Sequence, residues 1–356
     1  MSASRDTKRY DNAYLEQRQC CIEDNSDCAS DLRFACFDQD RSLLVFEIIT
    51  VDENAAENVE NLGSKEKFWF RNSSHELSLF KAVRQDTGED WAEKIAEQIA
   101  IRLGLPCANY ELAVWKGKKG VVTPSIVPEG ASLVHGNELL VAQGSDYPRR
   151  GTANNFKNSQ HTLDIVMKNI AVCRAELPPK WDAPDGIVDA QGLFIGYLLL
   201  DALIGNADRH HENWAIIERI VSSPTHSIER YLAPTFDHAS SMGRSLPDVE
   251  RTNRLQTKDR TYSVEAFAEK GPSRFYERVE NSKPLKSMSA FQISAQQKGN
   301  AALVWLERLE GVEDAEIEHF FRLVPQLRIT EPAILFGIRM LASNRKRLLT
   351  IGEDIK

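Results

Sequence analysis

No stretch of the 356-residue sequence approaches the ~20 consecutive apolar residues that a membrane-spanning helix needs. The opening MSASRDTKRYDNAY also lacks the apolar segment of a secretory leader, so a cytoplasmic protein is expected. Clustered positive charge is missing as well. Residues 1–60 carry 14 Asp or Glu against 6 Lys or Arg, and the remainder carries 38 of each sign. The acidity belongs to the N-terminal segment and the body is neutral, which argues against broad nucleic-acid binding. Cysteine is sparse and ill-spaced for zinc. Cys20 and Cys21 are adjacent, Cys28 and Cys36 follow at gaps of 7 and 8, and no histidine lies near them. These four, with Cys107 and Cys173, read as reduced thiols. A chain of this length buries enough core to fold without disulfides.

What is present divides the chain into three parts. Residues 1–42 are polar, acidic and without hydrophobic period, and read as a weakly ordered extension. Residues 43–141 have a strand rhythm. Leu43–Val51, Lys67–Arg71 and Leu77–Val83 are β-type runs, with Asn72–His75 as a turn. Thr87-Gly-Glu-Asp90 has the form of a capping box, and Trp91, Ile95, Ile99 and Leu103 repeat behind it at helical spacing until Gly104-Leu-Pro106. Tyr110–Trp115, Gly120–Ile126 and Ser132–Val134 complete an antiparallel sheet with one inserted helix. Residues 142–160 read as a linker. From there to 356 the pattern is helical, over His161–Val172, Asp189–Leu203, Ser263–Glu269, Ser289–Arg308, Asp314–Arg322 and Glu331–Leu349.

The chemistry concentrates after Leu203, in Ile204-Gly-Asn206-Ala-Asp208-Arg-His210-His211-Glu-Asn213. Asp208 and Asn213 stand five apart, the spacing at which a kinase catalytic loop sets a base and a metal-ligating carboxamide. A carboxylate can orient the proton of an attacking hydroxyl, and a carboxamide oxygen is a hard donor suited to Mg²⁺. Alone, Asp208 could be a loop-capping carboxylate. Leu232-Ala-Pro-Thr-Phe236-Asp237 adds a strand ending in Phe-Asp, comparable to the metal-binding Asp-Phe-Gly of kinases. His210 reads as a loop support, His211 as a surface residue, Trp91 as core, and Ser240–Ser245 as a mobile segment.

These two motifs together resemble the HipA-like kinases, and Asp-Arg-His-x-x-Asn is also similar to the catalytic loop of phosphatidylinositol kinases. The resemblance runs from about residue 58 to the C-terminus. It implies an α+β, two-lobed, protein-kinase-like fold, with a small antiparallel N-lobe carrying one helix and a mainly helical C-lobe. It implies ATP and Mg²⁺ as cofactors. Gly63, Ser64 and Lys65 would form the phosphate-covering loop, and Lys81 would reach the α/β-phosphates, paired with a helix glutamate: Glu93, with Glu89 and Glu97 as alternatives. Asn213 and Asp237 would hold Mg²⁺, Asp208 would be catalytic, and adenine would lie against Val134–Val141. The implied acceptor is a Ser or Thr of a protein. A toxin–antitoxin role follows from the same resemblance, with a small DNA-binding antitoxin as partner.

Two departures are visible. The serine that HipA toxins autophosphorylate aligns with Glu60, which puts self-inactivation there in doubt. The acidic extension stands where full-length toxins have a further N-terminal subdomain, so the chain looks like a short, stand-alone member. Two other readings stay open: a kinase for a small molecule or lipid headgroup, and a degenerate kinase that binds ATP or a partner without catalysis.

Overall fold

The computed structural model describes residues 45–356, apart from 57, 61–65, 145–146, 149–157, 222–226, 281–282 and 356. The expected extension and the expected phosphate loop (Gly63, Ser64 and Lys65) fall outside the described residues.

Alternating aromatic and polar residues build the first sheet. Its strands are β1 (Ile48–Thr50), β2 (Asn58–Glu60), β3 (Lys67–Arg71), β4 (Leu77–Ala82), β5 (Glu111–Trp115) and β6 (Lys118–Pro124), in the order β1-β5-β6-β4-β3-β2. Phe68, Phe70, Phe80 and Trp115 bury one face, with Phe68 and Trp115 ring centroids 4.6 Å apart. Because strand side chains alternate, burying Phe80 and Ala82 on that face turns Lys81 to the other. Register places Lys81 opposite Lys67 on one side and Val121 on the other.

Gly120 makes this approach possible. A Cβ there would lie 2.5 Å from the Lys81 carbonyl oxygen and 2.7 Å from the Phe80 ring. Gly120→Val is therefore expected to cost about 1–3 kcal/mol by overpacking. A fall in the urea midpoint checks this; an unchanged midpoint would contradict it.

Helix α1 (Glu89–Leu103) packs on the Lys81 face. Its apolar repeat, Trp91, Ile95, Ile99 and Leu103, is buried as expected. The cap differs from expectation. Gly88, not Thr87, is the N-cap, because the Thr87 hydroxyl turns back to donate to the Arg84 carbonyl at 2.9 Å. The first turn is held instead by ion pairs. Glu89 meets Arg84, and buried Asp90 meets buried Arg328 at 2.7 Å. Arg328 also donates to the Ala113 carbonyl, so the C-terminal part of the chain clamps both the helix and the sheet.

The remainder is mainly helical: α2 (Gly136–Gln143), α3 (Leu163–Val172), α4 (Ala190–Ile204), α5 (Asp248–Gln256), α6 (Val264–Glu269), α7 (Ser287–Gln297), α8 (Gly299–Glu310), α9 (Asp314–Arg322) and α10 (Glu331–Ile355). Helix α4 is apolar around its circumference and is buried along nearly its whole length among α7, α8 and α10. A second sheet, β7 (Ala131–His135), β8 (Ala215–Val221) and β9 (Ser227–Leu232), is antiparallel throughout.

Several expectations need correction. The first sheet is not wholly antiparallel, since β1 pairs parallel with β5. Strand pairing begins only at Ile48, because Phe46 donates to the Leu323 carbonyl and leaves the sheet direction. The strand at Ser132–Val134 belongs to the second sheet, and the connecting segment continues into α2. The single helix expected over Ser289–Arg308 is two. Lys298 breaks it with φ −136° and ψ 61°, its ammonium drawn to Asp189 at 2.5 Å. Helix α5 escapes sequence reading because its two apolar residues, Val249 and Leu255, make no helical repeat; buried Arg251, donating to the Gly243 carbonyl, anchors it. Among the described residues no helix is long and apolar enough to cross a membrane.

Candidate active site

Gly205 ends α4 in the left-handed conformation (φ 63°), which an L side chain rarely adopts, and its N–H caps the Asp201 carbonyl. The chain then turns at once into the polar loop. Asn206, fully buried, organises it: its amide donates to Asp201 Oδ1 at 2.8 Å and its carbonyl accepts the Asp208 N–H at 3.1 Å. Arg209 is 1 % exposed and grips Asp201 through two nitrogens, each at 2.8 Å. Its third nitrogen donates to the carbonyls of Asn213 (2.8 Å) and Phe236 (3.4 Å). One buried guanidinium thus ties both ends of the loop to the segment that presents Asp237. Burial would lower the Arg209 pKa, but the Asp201 carboxylate raises it overall, so the guanidinium stays charged.

Asp208 and Asn213 come together. The Asn213 amide donates to the Asp208 carbonyl at 2.8 Å, which leaves its oxygen as the atom available to a cation. The Asp208 carboxylate accepts from Arg274 Nε at 3.1 Å.

Asp237 adopts φ 60°, uncommon for a residue with a Cβ and a strain of the kind concentrated at functional sites. Its N–H donates to the buried Tyr110 hydroxyl at 3.0 Å. Its carboxylate meets Lys81 Nζ at 2.9 Å. Lys81 also reaches Glu93 Oε1 at 3.4 Å, and the other Glu93 oxygen accepts the His238 N–H at 2.7 Å. Of the three candidate glutamates, Glu93 stands against Lys81; Glu89 pairs with Arg84 and Arg244, and Glu97 with Lys94. Burial alone would lower the Lys81 pKa. Asp237 and Glu93 overrule it and hold the ammonium well above its usual range, so it is charged at neutral pH.

Mg²⁺ is commonly held by one or two protein oxygens, with waters and substrate phosphates completing an octahedron. Asn213 and Asp237 supply two hard oxygen donors, and the residues present fit that ion. No group of three or more His, Cys, Asp or Glu is arranged for a metal among the described residues.

Tyr110, Asp201, Arg209, His238 and Arg274 were not singled out from sequence. Arg209 could have been suspected, being the Arg of the Asp-Arg-His-x-x-Asn motif. Ser240–Ser245 is not the mobile segment expected. Ala207 donates to Ser240, buried Met242 donates to Ile204, and Arg244 pairs with Glu89 at 3.0 Å. His211, expected at the surface, is buried beside Tyr147, whose hydroxyl lies 2.7 Å from His211 Nδ1.

The histidines supporting the loop carry a pH signature. His161 accepts from Trp214 Nε1 at 3.2 Å and lies 2.9 Å from the Arg274 carbonyl through Nδ1, a pattern only the neutral ring satisfies. Burial lowers its pKa to about 3, and lowers that of His211 to about 4. Both folded values lie below the unfolded ~6.5. Their contribution is therefore complete above that pH and is lost as pH falls from 6.5 towards 4. Each proton taken up costs about 1.4 kcal/mol per pH unit in that window. Urea midpoints at pH 7.5, 6 and 5 are expected to fall, and less steeply for His161→Gln. An equal slope in both proteins would contradict the assignment.

No family model matches the chain, and no curated protein does. Among solved structures it resembles the Helicobacter pylori proinflammatory kinase CtkA, with a TM-score of 0.64 and 20% identity over 86% of this chain and 98% of that one. The chain has a protein-kinase-like fold. The two-lobed architecture expected from sequence is the one found. The HipA of a Shewanella oneidensis MR-1 HipA–HipB–operator DNA complex aligns over 85% of this chain and 66% of its own, at 13% identity. Its TM-score of 0.43 carries no weight.

Proposed function

We propose that this kinase-like chain is an ATP- and Mg²⁺-dependent phosphotransferase of the HipA-like kind, acting on a Ser or Thr hydroxyl of a protein. The observation that carries the reading is Lys81 between Glu93 and Asp237. Asp237 is 156 residues from Lys81, yet the three meet beside a loop that sets Asn213 and Asp208 five apart. A lysine held charged by two carboxylates suits ATP phosphates.

In this reading Lys81 holds the α/β-phosphates and Glu93 aims it. Gly63, Ser64 and Lys65 cover the phosphates, and Val134–Val141 lies against adenine. Asn213 and Asp237 hold Mg²⁺, which supplies neutralisation of the phosphate charge. Asp208 orients the acceptor hydroxyl and takes its proton as the oxygen attacks the γ-phosphorus, whose bond to the β–γ bridging oxygen breaks and releases ADP. Arg209 and Asn206 fix the loop, so catalysis is mostly positioning and charge placement. The resemblance in sequence extends the proposal to a toxin with a small DNA-binding antitoxin.

Incubation of the chain with Mg²⁺, γ-labelled ATP and cell extract tests the acceptor class. Label on a serine or threonine of an extract protein is the expected result. Acceptor-dependent ATP loss without protein label would indicate a small-molecule kinase. ATP binding without transfer would leave a binding module.

A further inference from the structure

A cleft of about 490 Å³ opens beside Asp208. Arg84, Arg244 and Arg274 line it, together with the serines at 240, 241 and 245. Arg84 follows β4, Arg244 precedes α5 and Arg274 follows α6, so three separate segments bring a guanidinium to one place. Asp208 is the one carboxylate among the described lining residues. Like charges gathered this way repel, and carboxylates hold them together here.

The contacts inside the cleft show how the three guanidiniums are held. Arg84 Nη1 and Arg244 Nη1 converge on the same Glu89 oxygen, at 2.8 and 3.0 Å. Glu89 is itself buried at the start of α1. Arg244 Nη2 donates to the Ser240 hydroxyl at 3.0 Å. Burial and the neighbouring Arg84 pull the Arg244 pKa down, with Glu89 opposing. Arg274 reaches Asp208 itself. Arg84 and Arg244 are thus pre-positioned by Glu89 and Arg274 by Asp208, and fork-shaped donors of this kind match carboxylate and phosphate oxygens.

We propose that this cleft is an acceptor subsite for an anionic group, so that the substrate carries a carboxylate or phosphate close to the hydroxyl that Asp208 orients. The proposal rests on the kinase reading and adds the substrate's chemistry to it: acidic segments are taken and basic segments rejected. Leu246 and Phe267 give the cleft an apolar side for the intervening residue.

The test is a set of serine peptides with γ-labelled ATP. In one the serine is flanked by Asp and Glu, in one by phosphoserine, in one by uncharged residues and in one by Lys and Arg. The expected kcat/KM for the acidic peptides exceeds that for the uncharged one by roughly tenfold or more, with the difference in KM. The Asp/Glu and phosphoserine arms separate carboxylate from phosphate preference. Arg84→Gln and Arg244→Gln are expected to bring the acidic-to-uncharged ratio down towards one, with KM for ATP unchanged. A merely structural role would lower all peptides alike and leave the ratio intact. Should the Arg244 variant not fold, Arg84→Gln and the salt dependence of the wild-type ratio read the same interaction. No charge preference in the wild type overturns the subsite and leaves the kinase reading standing. So does a preference surviving both variants, or a rise in the KM for ATP in its place. Absence of label on any peptide or protein overturns the kinase reading, and the subsite with it.

Discussion

Asp208→Asn is expected to slow phosphoryl transfer by about 10²–10⁴-fold, the range general acid–base catalysis supplies. The substitution keeps the side chain's size, and its amide oxygen can still accept from Arg274, which lies 3.1 Å from Asp208 Oδ1. The loop does not depend on this carboxylate. Its shape is set by the Asp208 backbone, whose N–H meets Asn206 and whose carbonyl accepts the Asn213 amide. ATP affinity is expected to stay, because Lys81, Glu93 and Asp237 are untouched. A titration of ATP binding beside a turnover assay separates the two effects. Transfer near the wild-type rate would remove Asp208 from the chemistry.

The second large effect is on stability. Asp201→Ala leaves the Arg209 guanidinium buried without the carboxylate that faces it at 2.8 Å through two nitrogens. Removing one partner of a buried pair costs about 3–5 kcal/mol. The same change frees the Asn206 amide, so the loop loses two supports at once. Chemical unfolding is expected to show the lower midpoint, and the folded fraction to transfer phosphate poorly. An unfolding free energy within a few tenths of a kcal/mol of the wild type would show that the pair is not what holds the loop.

The candidate site was legible where residue type and spacing speak together. Asp208 and Asn213 share one loop, and Phe236-Asp237 ends a recognisable run, so their chemistry shows in the letters alone. Lys81 and Glu93 were legible as a strand lysine and a helix glutamate, while the choice among Glu89, Glu93 and Glu97 was left to packing. Packing separates them by which basic group each meets: Arg84 and Arg244 for Glu89, Lys94 for Glu97 and Lys81 for Glu93.

The illegible parts share a cause, which is dependence on distant partners. Tyr110 reads as a strand aromatic until its hydroxyl is seen under the Asp237 N–H, 127 residues away. Asp201 sits in an apolar helix, where its only clue is that a buried carboxylate needs a partner. Helix α5 has no hydrophobic period to read. The Ser/Gly-rich composition of 240–245 suggests mobility, yet backbone bonds to Ile204 and Ala207 and the Arg244–Glu89 pair hold it. In the fold, the helical periods of α1, α3, α4, α6 and α9 were readable to within two residues at either end. The parallel pairing of β1 was not, because direction in a sheet depends on where the preceding chain is anchored.

Under the proposed function, the γ-phosphoryl of ATP leaves for an acceptor hydroxyl in a cleft built by Lys81, Asp208, Asn213 and Asp237. The most direct measurement compares ATP labelled at the γ- and α-phosphates, with Mg²⁺ and with a chelator, in the presence of cell extract. Covalent label from the γ-position alone, requiring Mg²⁺, is the predicted result. Label from the α-position would mean nucleotidyl transfer, and ATP bound without transfer would mean a binding module; either would contradict the account.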